Sequence, residues 1–360
     1  MKIILENRLV KKQLFPFTKT RHAADIRVGI LTIREKFLFS KEHEIFSSYE
    51  EYFAKYPDTN EQPIQLEANI VPDESWIGDI KEVIKISGDG GIAFENGPSL
   101  KILHYPWDIF THNDWALRSD FKLITEGRQS QPVPTSNQTI NSADIFMEAG
   151  ANVEHSILNA TDGPIYIGKN AVVMEGSLLR GPLAICEAAI VKMGTKIYGA
   201  TTVGPFCTVG GEIKNSVLFG NSNKAHDGYL GDSVLGEWCN LGAGTSNSNV
   251  KNTAGEVKYW VEAEGKQIGA GNKGGLLMGD YSKAAINTSF NTGTIVGICC
   301  NVFASGLTPK YIPDFSWGVD GPAKYNLEKA LVDIDNWKKL RGLTISESEK
   351  QILTDIYKQY

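Results

Sequence analysis

The sequence predicts a mainly β chain: a parallel β-helix of hexapeptide repeats, preceded by a small N-terminal α/β domain and followed by C-terminal helices. Three observations predict it. Aliphatic residues recur every six positions through much of the second half, no such period exists before residue 107, and the stretch 321–360 carries apolar residues at helical spacing.

Residues 1–106 read as a domain of mixed elements, in which short apolar strands such as IQLEANIV (64–71) alternate with helix-like stretches such as SSYEEYFAKY (47–56). PWDIFTHNDWALRSDFKLI, from Pro106 to Ile124, reads as an amphipathic linking helix opened by Pro106 and Asp108. The Pro-rich QSQPVPTSNQT closes it, so the link occupies 107–134.

From 135 to 318 the hexads dominate. Ile167, Val173, Leu179, Ile185, Val191, Ile197, Val203 and Val209 fall six residues apart without a break. After a two-residue slip the register is expected to resume at Val217, Asn223 and Tyr229 and to continue at Leu235 and Leu241, returning at Met278, Ala284, Phe290, Val296 and Val302. This period fits neither an α-helix nor a long alternating strand. It suits short strands separated by turns, three to a triangular coil, with each coil burying its aliphatics against the next. Glycine follows the hexad aliphatic at Ile167, Val203, Val209, Leu235, Leu241, Met278 and Val296, which predicts a tight turn there. Residues 246–277 are too long and polar for one coil and predict an excursion with a hairpin around Val257–Val261. In 319–360, NLEKALVDIDNWKKL and ISESEKQILTDIYKQY read as two helices, the second opening on a Ser-x-x-Glu capping pattern, and are expected to cap the solenoid.

A chain of 360 residues is long enough for two or three domains. Its net charge of −6, without a basic block, argues against nucleic acid as a partner. No apolar run approaches the roughly 20 residues of a membrane span, so a soluble, cytoplasmic protein with no membrane partner is expected. Cys186, Cys207, Cys239, Cys299 and Cys300 form no C-x-x-C and read as small buried hydrophobes, with the adjacent pair pointing to opposite faces. A zinc site of the γ-class carbonic anhydrase kind needs three histidines, and only His155 and His226 lie in the repeat region, so no metal site is predicted.

The chemistry concentrates in N-K-A-H-D-G-Y-L-G-D (223–232), followed by N-L-G-A-G-T (240–245). This resembles the acetyltransferase active-site region of the bifunctional N-acetylglucosamine-1-phosphate uridyltransferase/glucosamine-1-phosphate acetyltransferase family, where K-A-G-H-x-x-Y-L-G-D precedes N-x-G-A-G-T. E-I-K at 212–214 lies where that family has E-x-K. FPFTKTRHAADIRVGILTIREKF and the PWDIF segment resemble a shorter, Bacteroidetes-type branch of sugar-phosphate nucleotidyltransferases. The resemblance implies a left-handed β-helix, a homotrimer with active sites between subunits, acetyl-CoA as cosubstrate, and a phosphorylated amino sugar, glucosamine-1-phosphate, as acceptor.

Carried over residue by residue, the resemblance makes His226 the base that takes a proton from the substrate amine; the bland reading is a structural turn histidine. Glu212 either orients that imidazole or is solvated. Lys214 and Tyr229 map onto residues that grip the sugar phosphate, although Tyr229 also falls on an expected core position, and Asn240 maps onto a sugar contact. The Gly242-Ala243-Gly244 backbone would face the acetyl thioester, or simply serve the repeat. The family's phosphate-binding arginine has no clean counterpart; Arg180 and Lys192 are candidates, and Lys251 or Lys258 for a lysine the family carries after G-A-G-T.

The first half departs further. Where active nucleotidyltransferases have a Gly-rich phosphate loop and carboxylates for Mg²⁺, this chain has LENRLVKKQLFPFTKTR, with no glycine before Gly29. Arg8, Lys19 and Arg21 either meet a phosphate or form a solvated face, and Mg²⁺ is expected only if nucleotidyl transfer is retained. The alternatives are nucleotidyl transfer as the main activity, an acyltransferase for another amino acceptor, and a non-catalytic trimeric β-helix scaffold.

Overall fold

The computed structural model describes the chain except residues 1, 8–10, 40–42, 58, 60, 75–99, 320–322 and 360. From residue 138 onward it is a parallel β-helix with three faces. The first face opens at Gln138–Ile140, the second at Ile145–Met147 and the third at Asn152–Val153; the order then repeats from Ile157–Asn159, Ile165–Ile167 and Val172–Val173. Each strand pairs in parallel with its counterpart one coil away, so Val153, Val173, Val191 and Val209 line up inside the third face. Each buried aliphatic contributes roughly 1.5–3 kcal/mol, and stability accumulates coil by coil.

The register after Val209 differs from the hexad expectation. Leu178 pairs with Lys196, eighteen residues on, but Lys196 pairs with Glu212 at sixteen and Glu212 with Tyr229 at seventeen. The inward positions are therefore Ile213, Leu218, Lys224 and Leu230, and the side chains expected inside at Val217, Asn223 and Tyr229 lie outside. A residue dropped from one corner turns the side chains that follow it to the other face until a later coil restores the register, as it does at Leu235 and Leu241.

The glycines after the hexad aliphatic open tight turns as expected, the Gly168, Gly204 and Gly242 carbonyls accepting from the N–H groups of Ala171, Cys207 and Thr245. The φ values of these glycines are ordinary, and what requires them is close approach: a Cβ on Gly204 would lie 2.1 Å from the Phe219 carbonyl oxygen of the next coil. The left-handed conformation falls two residues later, at Asn170, Ala188, Phe206, Trp238, Tyr281 and Cys299. The excursion begins after Ser246–Asn247, still a first-face strand, and carries the antiparallel hairpin Lys258–Val261 with Lys266–Gly269 before the coil resumes at Leu276–Met278.

The N-terminal region carries β1 (Lys2–Glu6), α1 (Ile33–Leu38), β2 (Glu44–Phe46), α2 (Tyr49–Lys55) and β3 (Ile64–Glu67), with the parallel order β2-β1-β3. β4 (Ile70–Pro72) and β5 (Leu100–Ile102) pair antiparallel. The expected linking helix is two pieces, α3 (Asp108–Thr111) and α4 (Asn113–Thr125), broken at His112. All of this docks on the second face. Phe17 packs on Phe219 with ring centroids 5.1 Å apart, and Val217, Val234, Leu277 and Ile295 share one core with β1, α1 and the hairpin. α4 lies over Ala184, Cys186 and Ala200. Its buried Asp120 accepts the Ile30 and Leu31 N–H groups at 2.8 and 3.1 Å and pairs with the buried ammonium of Lys36.

Polar anchors complete the docking. The Arg21 guanidinium pairs with the buried Asp280 and lies 3.6 Å from Glu237, while Lys19 reaches Glu262 at 3.1 Å and Asp314 at 3.5 Å. These two side chains are interface groups rather than a solvated face; Arg8 lies outside the described residues.

α5 (Leu327–Lys339) and α6 (Glu347–Tyr357) form as expected, α6 opening on the Ser346–Glu349 capping box. They pack along the edge between the second and third faces, against Trp238, Tyr281, Cys299 and Phe315 of successive coils, rather than across the end of the solenoid. All five cysteines are free and buried, with Cys299 against these helices and Cys300 inside the β-helix. Among the described residues no helix is long and apolar enough to cross a membrane.

Removing the Arg21 charge leaves Asp280 buried without its counter-ion. Arg21→Met is expected to lower the unfolding free energy by about 3–5 kcal/mol, measured by urea titration. A loss below about 1 kcal/mol would show that the docking does not depend on this pair.

Candidate active site

His226 lies on the corner Ala225–Gly228, where the chain passes from the third face to the first, and its side chain is exposed. The corner below is Gly210–Gly211 and the corner above is Gly242–Thr245. They touch: a Cβ on Gly210 would lie 3.3 Å from the His226 nitrogen, and the Gly244 N–H donates to the Asp227 carbonyl at 3.0 Å. The structure therefore brings Gly242-Ala243-Gly244 directly against the His226 corner. Gly244 has φ +74°, and a Cβ on Gly242 would lie 2.5 Å from the Ile286 nitrogen, so both glycines are also needed by the stack. The Gly242 N–H is bonded to the Ala284 carbonyl, which leaves Ala243 as the amide of the three with no partner among the described residues.

The strand after this corner begins at Tyr229, paired in register with Glu212, and Lys214 pairs with Gly231. Alternate residues of a strand point the same way, so Lys196, Glu212 and Tyr229 form one outward column on the first face and Tyr198, Lys214 and Gly231 its neighbour. The Glu212 carboxylate accepts the Tyr198 hydroxyl at 2.7 Å, and among the described residues no hydrogen bond joins it to His226. That bond favours the neutral phenol and pushes the Tyr198 pKa up to about 12. The Lys214 ammonium stands 5.8 Å from the Tyr198 ring centroid. Tyr229 is half-buried over Gly231, where a Cβ would come within 2.2 Å of the phenol oxygen. Its hydroxyl accepts from Asn249 at 3.1 Å, and burial, with Asp232 nearby, raises its pKa. Asp232 is itself buried between Asn215 and Asn249, at 2.7 and 2.5 Å.

Of the other candidates, Arg180 lines one groove with Lys196 and Glu212, and the rest stand apart. Arg180 lies on the same face but two coils below Lys214, about 10 Å away at the usual sheet spacing, with its guanidinium 2.6 Å from Asp162. Lys192 is on the same edge as His226, two coils below. Asn240 sits on the third face between Asn223 and Lys283, round the edge from the column. Lys251 and Lys258, on the excursion, both engage Glu256.

Spacing alone missed Lys196, which is exposed, stands one coil below Glu212, and lines with Arg180, Tyr198 and Glu212 a groove of about 430 Å³. Tyr198, Asn249 and Lys224 were missed too. A signal for Lys224 was available: it falls six residues before the buried Leu230.

The N-terminal sheet offers the carboxylates Glu6 and Glu67, side by side at the end of the parallel strands, with Glu67 raised by burial and then by Glu6. Among the described residues no group of three or more His, Cys, Asp or Glu side chains is placed to hold a metal ion, and Lys19 and Arg21 of the 11–22 loop are paired with carboxylates. Among the described residues the pair of Glu6 and Glu67 alone does not supply a Mg²⁺ site.

Residues 3–97 match the sugar nucleotidyl transferase family. Over 132 residues the chain is 33% identical to Bifunctional protein GlmU of Methanocaldococcus jannaschii, a match that covers 37% of this chain and 30% of the relative. It is 29% identical over 210 residues to the bifunctional sugar-1-phosphate nucleotidylyltransferase/acetyltransferase of Sulfurisphaera tokodaii, covering 55% and 43%. The matches span less than half the length of these two relatives. A solved structure, the UDP-N-acetylglucosamine acyltransferase of Francisella novicida, matches 63% of this chain and 79% of its own at 15% identity, with a TM-score of 0.22. The chain is thus similar to the GlmU-like bifunctional proteins: a sugar nucleotidyl transferase-like region followed by a hexapeptide-repeat β-helix.

Proposed function

We propose that the chain transfers the acetyl group of acetyl-CoA to the amine of a phosphorylated amino sugar, glucosamine-1-phosphate foremost. One observation carries the reading: an exposed His226 stacked against the Gly242–Gly244 corner, with Lys196, Glu212, Lys214 and Tyr229 on the strands beside it. The GlmU-like relatives support it.

In this reading the neutral His226 imidazole takes a proton from the acceptor amine as its nitrogen attacks the thioester carbonyl. Negative charge develops on the carbonyl oxygen, and the Ala243 N–H, not used within the stack, is placed to meet it. The intermediate collapses, the C–S bond breaks, and the imidazolium returns its proton to the departing CoA thiolate. Lys196 and Lys214 hold the acceptor phosphate, as compact ammonium groups do, and Glu212 fixes Tyr198 between them. Lys196 takes the role that the sequence left between Arg180 and Lys192.

What the chain leaves uncovered supports a trimeric assembly. The second face and the second–third edge are packed by the chain itself, whereas Met193 and Ile286, each 68% exposed, flank the His226 corner. A homotrimer packed along this edge would bury them and bring Asn240, on the third face, to a neighbour's site. Sedimentation is expected to give a trimer; a monomer that turns over at micromolar concentration would exclude the arrangement.

The reaction is tested by release of free CoA from acetyl-CoA with glucosamine-1-phosphate. His226→Ala is expected to cut kcat by about 10²–10⁴. Lys196→Ala and Lys214→Ala are expected to raise KM for the acceptor about tenfold or more, with Arg180→Ala near wild type. Normal turnover by His226→Ala in a folded protein would make the histidine structural and leave the scaffold reading.

Nucleotidyl transfer is the second reading, favoured by the match over 3–97. With Lys19 and Arg21 engaged by carboxylates, calorimetry with UTP or dTTP and Mg²⁺ is expected to show weak binding or none; micromolar affinity would show that other residues form the cradle.

A further inference from the structure

We infer that Lys224, inside the β-helix, is a positioning residue whose ammonium holds the His226 corner in shape. This rests on the reading of His226 as the base. Lys224 is 1% exposed and occupies an inward line whose neighbouring members are Val191, Val209, Leu241 and Ala284. An ammonium among aliphatics is costly unless carbonyls receive it. Here two do: it donates to the Gly210 oxygen at 3.2 Å and to the His226 oxygen. Burial, opposed by Asp227, brings its pKa down to about 8.

The need for this arises from the length of the corners. Four residues, 225–228, stack over only two, Gly210 and Gly211. Backbone bonds hold the two ends of the longer corner, Gly210 N–H to the Lys224 oxygen at 2.7 Å and Glu212 N–H to the Gly228 oxygen at 3.2 Å. Between them, among the described residues, no backbone bond joins Gly210 or Gly211 to the His226 carbonyl. The Lys224 side chain fills that gap from inside, tying the carbonyl of His226 to the coil below while its imidazole faces solvent. A side chain of the same length without the ammonium would keep the core packed and release the corner.

Lys224→Met and Lys224→Leu, the latter copying Leu241 one coil on, test this by amide hydrogen exchange and by steady-state kinetics on the full chain. The Gly210 and Gly244 amides, bonded into this corner, are expected to exchange at least tenfold faster, with amides of the coils at 165–191 unchanged. In the same preparations kcat is expected to fall tenfold or more, with KM for acetyl-CoA unchanged. Wild-type exchange at Gly210 and Gly244 in either folded variant overturns the proposal, as does failure of both variants to fold, which would give the lysine a global role. If the wild-type chain transfers no acetyl group, the reading of His226 fails, and the exchange measurement still decides what Lys224 holds.

Discussion

Every strand of this β-helix satisfies its backbone by lying directly on the coil below and under the coil above. That single constraint sets most of what else is seen. It lines nearly every face of each coil with an inward apolar residue, Lys224 being an exception, and it forbids a Cβ wherever two backbones press together, as at Gly204 and Gly242. It also makes corner length the one adjustable quantity. Where corners match, backbone bonds run from one to the next; where they do not, as between Gly210–Gly211 and Ala225–Gly228, a side chain must stand in.

The polar column and the histidine occur where the stacking is irregular. Glu212–Gly220 and Tyr229–Glu237 are single strands that cross two faces, turning at Asn215 and Asp232 with φ of 45° and 47°. The carboxylate of Asp232 joins those turns through Asn215 and reaches the Tyr229 hydroxyl through Asn249.

Much of the architecture was legible because one inward aliphatic per six residues suits short strands stacked in coils and little else: the line from Ile167 to Val209, the excursion and the capping box at Ser346 all stand where the sequence puts them. The site was legible in part, through the glycine-rich run and the histidine. What failed did so for definite reasons. A fixed period puts Tyr229 inside, whereas the short coils at 196–229 shift the register and turn it out. Arg21 and Lys19 read as surface charge because their partners Asp280, Glu262 and Asp314 lie more than 240 residues away in the chain. Lys196 has no motif around it; only register puts it beside Glu212.

The strands that carry the polar column on one face carry the N-terminal region on the other. Val217 and Phe219 continue the strand that begins at Glu212, and they pack against Phe17 and β1. The two halves of the chain are therefore not interchangeable modules. Cutting near residue 106 would uncover a contiguous apolar surface of Phe219, Val234, Leu277 and Ile295, the kind that associates indiscriminately in water. A sugar nucleotidyl transferase-like region that no longer handled nucleotides would still be retained, as the lining of a β-helix that cannot be left bare.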